Sequence, residues 1–176
     1  MKRLLAGIAL LVAVGCGTVH DHAAFHAMME ELKDRNDVVA AANRLFICTD
    51  NKDWTCVRDV FAPEVFFDMT SLGAPKAETK TPEQIAGMWE QGLRPIQAIH
   101  HQSGNYEVEV RGNEADLFCY GTAWHYLPNP TERNTRIFIG SYNEHFVRTE
   151  KGWKMDRFRF NLKFIDGNKD LEGSKK

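Results

Sequence analysis

The chain has 176 residues, with 22 Lys and Arg against 24 Asp and Glu and a hydrophobic content of 43%. That length suits one compact domain around one core, and the near-balanced, interspersed charge excludes a basic nucleic-acid-binding face, so no nucleic-acid partner is expected. Four cysteines without a CxxC pair or a Cys/His set at zinc spacing exclude a structural zinc site.

In chain order, Lys2 and Arg3 precede an apolar run from Leu4 to Val14, and small residues stand before Cys16. This is the layout of a secretory signal over residues 1–15, too short for a membrane-spanning helix. Ala13-Val14-Gly15-Cys16 resembles a bacterial lipobox, which implies lipid attachment at Cys16 and an exported, membrane-anchored protein of the cell envelope or periplasm. Residues 16–36 are polar and charge-rich and read as a tether passing into a helix. His22 and His26 have helical i, i+4 spacing there, but a solvated stalk is the reading taken, and no metal is expected.

Val39, Ala42, Leu45, Phe46 and Thr49 recur at helical spacing and predict an amphipathic helix to about Asp50. A second short helix starts at Asp53-Trp54 and closes by Ala62-Pro63, before a short strand at Val65-Phe66-Phe67. Thr81-Pro82-Glu83-Gln84 is a helix start with a capping box, and that third helix should end near Leu93. Four long segments with two-residue alternation follow, at about 99–111, 115–127, 136–148 and 153–165, divided by turn signals. Helices first and an antiparallel meander afterwards give an α+β domain over 37–168, its long strands curling into a cone-like half barrel around one pocket, with a polar tail at 169–176. Cys48 and Cys56 are spaced so that a bridge is conceivable; with Cys16 used for lipid, at least one of Cys48, Cys56 and Cys119 is free, and buried thiols are the expectation.

Asp50 lies on the apolar stripe of the first long helix, where a carboxylate needs a partner. His100 and His101 open one long strand and His125 sits near the end of the next, so antiparallel pairing brings them together. One face of that second strand carries Leu117, Cys119, Gly121, Ala123 and His125, and its small residues leave room for a cavity. An imidazole oriented by a carboxylate is a general base effective near neutral pH.

The order of these elements, with Asp50-Asn51-Lys52-Asp53-Trp54, His101-Gln102-Ser103-Gly104-Asn105 and Ser141-Tyr142-Asn143-Glu144-His145, resembles the SnoaL-like branch of the nuclear-transport-factor-two-like superfamily, and within it scytalone dehydratase. The resemblance spans roughly 37–167. It implies catalytic roles for Asp50, His101 and His125, substrate contacts from Ser141 and Asn143, and a homo-dimer or homo-trimer through the sheet. Thr49 and Met69 stand where the dehydratase has two carbonyl-activating tyrosines. The expected function is a lyase or isomerase of a small apolar carbonyl compound, needing no cofactor. The alternatives are a lipoprotein that captures a small apolar ligand in the same pocket without catalysis, and an envelope assembly partner.

Overall fold

The computed structural model describes residues 17–173. The expected signal segment 1–15 and Cys16, the expected lipid acceptor, lie outside these residues. The first element is a continuous helix, α1 (Gly17–Asp50), which takes in the stretch expected to be a tether. Residues 22–36 contain neither Gly nor Pro and are rich in Ala, Met, Glu and Leu, all strong helix formers. Residues 22–33 are exposed, and the helix begins to pack at Asp34, which accepts hydrogen bonds of 2.8 and 2.5 Å from Arg148. Beyond it Val38, Ala42 and Leu45 are fully buried at one-turn spacing against the sheet.

A tight turn with Lys52 at φ 54° leads into α2 (Trp54–Val60), whose N-terminus is capped by Asp53 accepting from the Cys56 N–H at 2.9 Å. This turn sets the last turn of α1 beside the first turn of α2. Cys48 and Cys56 are consequently joined in a disulfide with their Cα atoms 5.7 Å apart, which corrects the expectation of buried free thiols. Cys119 is free and buried.

β1 (Phe61–Asp68) follows directly, and Pro63 falls in the gap of its ladder between Phe61 and Phe66, where a missing N–H is tolerated. A short 3-10 turn (Thr70–Leu72) and β2 (Glu78–Lys80) lead to α3 (Pro82–Leu93), which has the expected capping box between Thr81 and Gln84. The four long strands are β3 (Ala98–Arg111), β4 (Glu114–Tyr126), β5 (Thr135–Thr149) and β6 (Gly152–Gly167). The sheet order is β2-β1-β6-β5-β4-β3, open at both edges. It is mixed, because β1 pairs parallel to β6 while the other neighbours are antiparallel. The long excursion between these two strands imposes no hairpin geometry, so either direction is open to β1. Register shifts in β3 at Gly104/Glu107 and in the β5–β6 pair at Ile139/Gly140 and His145/Phe146 bend the sheet around the helices, giving the expected α+β half cone.

The core fills the space between the inner sheet face and the three helices, with Leu45, Val57, Val65, Ile85, Phe146 and Met155 buried in one cluster. A smaller cluster joins Ile96 and Ile99 to Leu171, which is 1% exposed. Residues 169–173 are therefore more than the polar tail expected, since Leu171 anchors them against the domain.

Candidate active site

Asp50 is the last residue of α1, and the helix end aims it at the start of β3. Its Oδ2 accepts the His101 backbone N–H at 2.9 Å and its Oδ1 lies 2.6 Å from His101 Nδ1. A carboxylate can only accept, so His101 carries a proton on Nδ1, and the neutral form of the ring has its acceptor at Nε2. The imidazole is pinned from a second direction by Phe46, one helical turn before Asp50, whose ring stacks on it at 5.2 Å between centroids. A ring held by one hydrogen bond and a stack, on a backbone that the same carboxylate anchors, is preorganised to accept a proton.

His125 reaches the same place from β4. His101 pairs with Ala123, so His125 is its diagonal neighbour on the inner face, roughly 7–8 Å away by sheet geometry. The side chain is 9% exposed, and burial, reinforced by the charges of Arg136 and His101, lowers its pKa to about 4, leaving a neutral imidazole at pH 7. Arg136 is its directly paired neighbour on β5, with Nη2 3.3 Å from His125 Nδ1. The same guanidinium makes a two-pronged bond to Glu172, Nη1–Oε2 2.8 Å and Nη2–Oε1 2.6 Å.

Both histidines line a cavity of about 350 Å³ between the inner sheet face, α1 and α3. Its walls are mostly apolar, with Leu45, Phe46, Met69, Met88, Trp89, Phe138, Phe158 and Phe160 among them, and its polar groups are Thr49, His101, His125, Arg136 and Tyr142. Thr49 is turned from the cavity chemistry by a 2.8 Å bond from its hydroxyl to Leu45 O. Tyr126 is exposed on the other face, whereas Tyr142 is buried in the cavity wall. Its ring occupies the room that Gly121 leaves, for a Cβ at Gly121 would lie 2.1 Å from Tyr142 Cε2. The small-residue stripe of β4 thus seats an aromatic ring at Gly121, and only Ala123 faces the cavity itself.

Ser141 and Asn143 do not join this site. Alternation along β5 turns Phe138, Tyr142 and Glu144 inward and Ser141 and Asn143 outward, beside Tyr120 and Phe118. There Asn161 Nδ2 donates to Asn143 Oδ1 at 2.8 Å. Neither Ser141 nor Asn143, of which substrate contacts were expected, lines this cavity. Asn143 instead borders a wider groove of about 710 Å³ on the outer face, lined by Glu107, Glu109, Asp116, Arg157 and Arg159 and holding no histidine. The smaller inner cavity is the candidate site, because there the Asp50–His101 pair meets an apolar wall.

Three residues escaped the sequence reading: Arg136 in the cavity wall, Glu172 behind it, and Glu144, which borders the outer groove and not the inner cavity. Arg136 read as an ordinary residue opening a strand, and Glu172 as part of a polar tail. Glu144 is 2% exposed, neither Oε atom has a hydrogen-bond partner among the described residues, and burial pushes its pKa up to about 8. Its inward place in the alternation of β5 was the available signal. Among the described residues no group of three or more His, Cys, Asp or Glu is placed to hold a metal ion.

The model of the SnoaL-like domain matches residues 30–159. The chain belongs to the SnoaL-like family. Rv2910c of Mycobacterium tuberculosis is 25% identical over 130 residues, 72% of this chain and 84% of its own length. Kfla4162 of Kribbella flavida superposes with a TM-score of 0.77 at 20% identity, covering 82% of this chain and 99% of that one. A protein of Novosphingobium aromaticivorans assigned as a scytalone dehydratase gives 0.68 at 15%, covering 77% and 88%. The hexachlorocyclohexane dehydrochlorinase LinA-type3 of Novosphingobium barchaimii gives 0.67 at 12%, covering 80% and 94%. At these identities the solved structures establish the fold alone. Enzymes that eliminate water or hydrogen chloride are among the proteins that share it.

Proposed function

We propose that this SnoaL-like protein is a lyase or isomerase acting on a small, largely apolar carbonyl compound without a metal or organic cofactor. The observation that carries the reading is the double hydrogen bond from His101 to Asp50 at the wall of an apolar cavity. His101 Nε2 removes a proton from the carbon next to the carbonyl, and Asp50 stabilises the imidazolium that forms. His125, neutral at working pH, is the second polar group within reach of the developing oxyanion. Loss of a leaving group or migration of the double bond completes the reaction.

The test is deuterium exchange at the α carbon across a panel of apolar ketones and hydroxyketones, followed by proton NMR in heavy water. Asp50→Asn and His101→Ala should slow exchange by about 10²–10⁴-fold with the fold retained. Equal exchange in wild type and His101→Ala would sink the assignment.

A second reading is favoured by Thr49 and Met69, which line the cavity where the dehydratase has tyrosines: the pocket captures an apolar ligand and turns nothing over. Tight ligand binding without exchange in the same panel would support it. We also propose that the protein is exported and anchored by lipid on Cys16. The exposed apolar stripe of Phe25, Met28, Met29 and Leu32, which follows that cysteine closely, supports a position at a membrane surface. Mass spectrometry of the N-terminal peptide, intact and after Cys16→Ala, tests the acyl chains.

A further inference from the structure

The two imidazoles are wired to partners of opposite character. His101 Nδ1 faces a carboxylate, which only accepts, and His125 Nδ1 faces the guanidinium of Arg136, which only donates. We infer that Arg136 is a positioning residue that fixes His125 in the tautomer with Nδ1 unprotonated and the proton on Nε2, so that the pocket holds one base and one dedicated hydrogen-bond donor.

Three observations carry this. Arg136 sits directly opposite His125 in the β4–β5 ladder, so the contact is set by register and not by a free side chain. Its guanidinium is held in plane by both carboxylate oxygens of Glu172 at 2.8 and 2.6 Å, which leaves the remaining Nη2 hydrogen for His125 at 3.3 Å. Glu172 is itself placed by its neighbour Leu171, buried against Ile96 and Ile99 beyond the last strand. The segment after β6 therefore reaches back to the pocket through Glu172, then Arg136, then His125. The charged and titratable groups around His125 are His101 on β3, Asp50 on α1, Arg136 on β5 and Glu172 in the terminal segment.

Resting on the proposed reaction, this deepens its substrate class. A compound held between the rings presents its acidic C–H to His101 Nε2 and an acceptor to His125 Nε2–H. That acceptor is a carbonyl oxygen or an oxygen leaving group, and His125 is excluded as the base that starts the reaction.

The experiment reads the tautomer itself, so it is decided apart from any turnover. In protein labelled with 15N-histidine, two-bond proton–nitrogen spectra distinguish Nδ1–H from Nε2–H, and His125→Asn identifies the His125 signals. We expect Nε2–H at His125 and Nδ1–H at His101 at pH 7. Arg136→Gln, whose amide both donates and accepts, should give a mixed tautomer at His125 and raise its titration midpoint by about one pH unit. Arg136→Lys, which again only donates, should restore Nε2–H. Nδ1–H or a charged ring at His125 in wild type would overturn the inference. An unchanged spectrum in Arg136→Gln would do so equally. If Arg136→Gln does not fold, the wild-type tautomer and the Arg136→Lys spectrum still decide.

Discussion

Gly121 and Tyr142 show how one missing side chain shapes the pocket. The Tyr142 ring lies between Phe46 and Phe160, at centroid distances of 4.8 and 4.9 Å, and it can do so only because β4 has no Cβ beneath it. Gly121→Ala forces a contact of 2.1 Å onto an aromatic ring already packed on its other sides, so it should destabilise the protein by about 1–3 kcal/mol. Combining it with Tyr142→Ala should recover part of that loss, and thermal melts of the three variants check the coupling. Asp50 was legible in the sequence because a carboxylate on an apolar helix face needs a partner, while His101 and His125 were singled out by the motifs of the family. Ser141 and Asn143 misled because a resemblance in motif transfers residue types without the strand's facing. Had the alternation used for β4 been carried to β5, Tyr142 and Glu144 would have been the inward residues.

The α1–α2 corner behaves differently from the strands. The turn at Lys52 is fixed by a covalent link, by Asp53 as cap, and by the Lys52 ammonium donating to Ile96 O at 2.6 Å. Closing so short a loop removes chain entropy from the unfolded state worth about 2.5 kcal/mol. Cys56→Ser should therefore lower stability by about that amount, measured by urea unfolding, and loosen Asp50, which lies between the bridge and the pocket. Cys119 should stay unreactive to iodoacetamide in the folded protein, since burial and then the nearby Glu144 carboxyl push its thiol pKa upward. The spacing of Cys48 and Cys56 permitted this bridge but did not require it, because eight residues span either a bonded or an open corner depending on the angle between the helices.

Taken together, the buried ionisable groups give the molecule a defined response to pH. His125 has a folded pKa of about 4, below the ordinary 6.5, so the unfolded chain binds the proton more readily and stability is lost as pH falls from 6.5 towards 4. Glu144 is raised from 4.5 to about 8, so the folded state holds its proton and stability is lost as pH rises from 4.5 to 8. Each group contributes a slope of at most about 1.4 kcal/mol per pH unit. These slopes oppose each other between 4.5 and 6.5, and above 6.5 Glu144 acts alone. Denaturant unfolding at a series of pH values should show a plateau near pH 5–6 and a decline towards pH 8. Glu144→Gln should abolish the alkaline decline and leave stability rising from pH 4 to 6.5. A variant that kept the decline would show that Glu144 is not its source.

The sequence by itself determined the helix starts, the four long strands, the α+β class and the need of Asp50 for a partner, for which the residues left His100, His101 and His125 open and the family resemblance singled out His101. These rest on local rules: capping residues, hydrophobic period, turn residues, and the cost of a carboxylate on an apolar face. Only the tertiary structure decided that β1 runs parallel to β6, that Cys48 and Cys56 are joined, and that Ser141 and Asn143 face outward. It alone showed that Arg136 and Glu172, separated by 36 residues, meet beside His125. Each of these depends on which strand lies beside which, and on where bulges shift the facing, and pairing over such distances leaves no periodic trace in the chain.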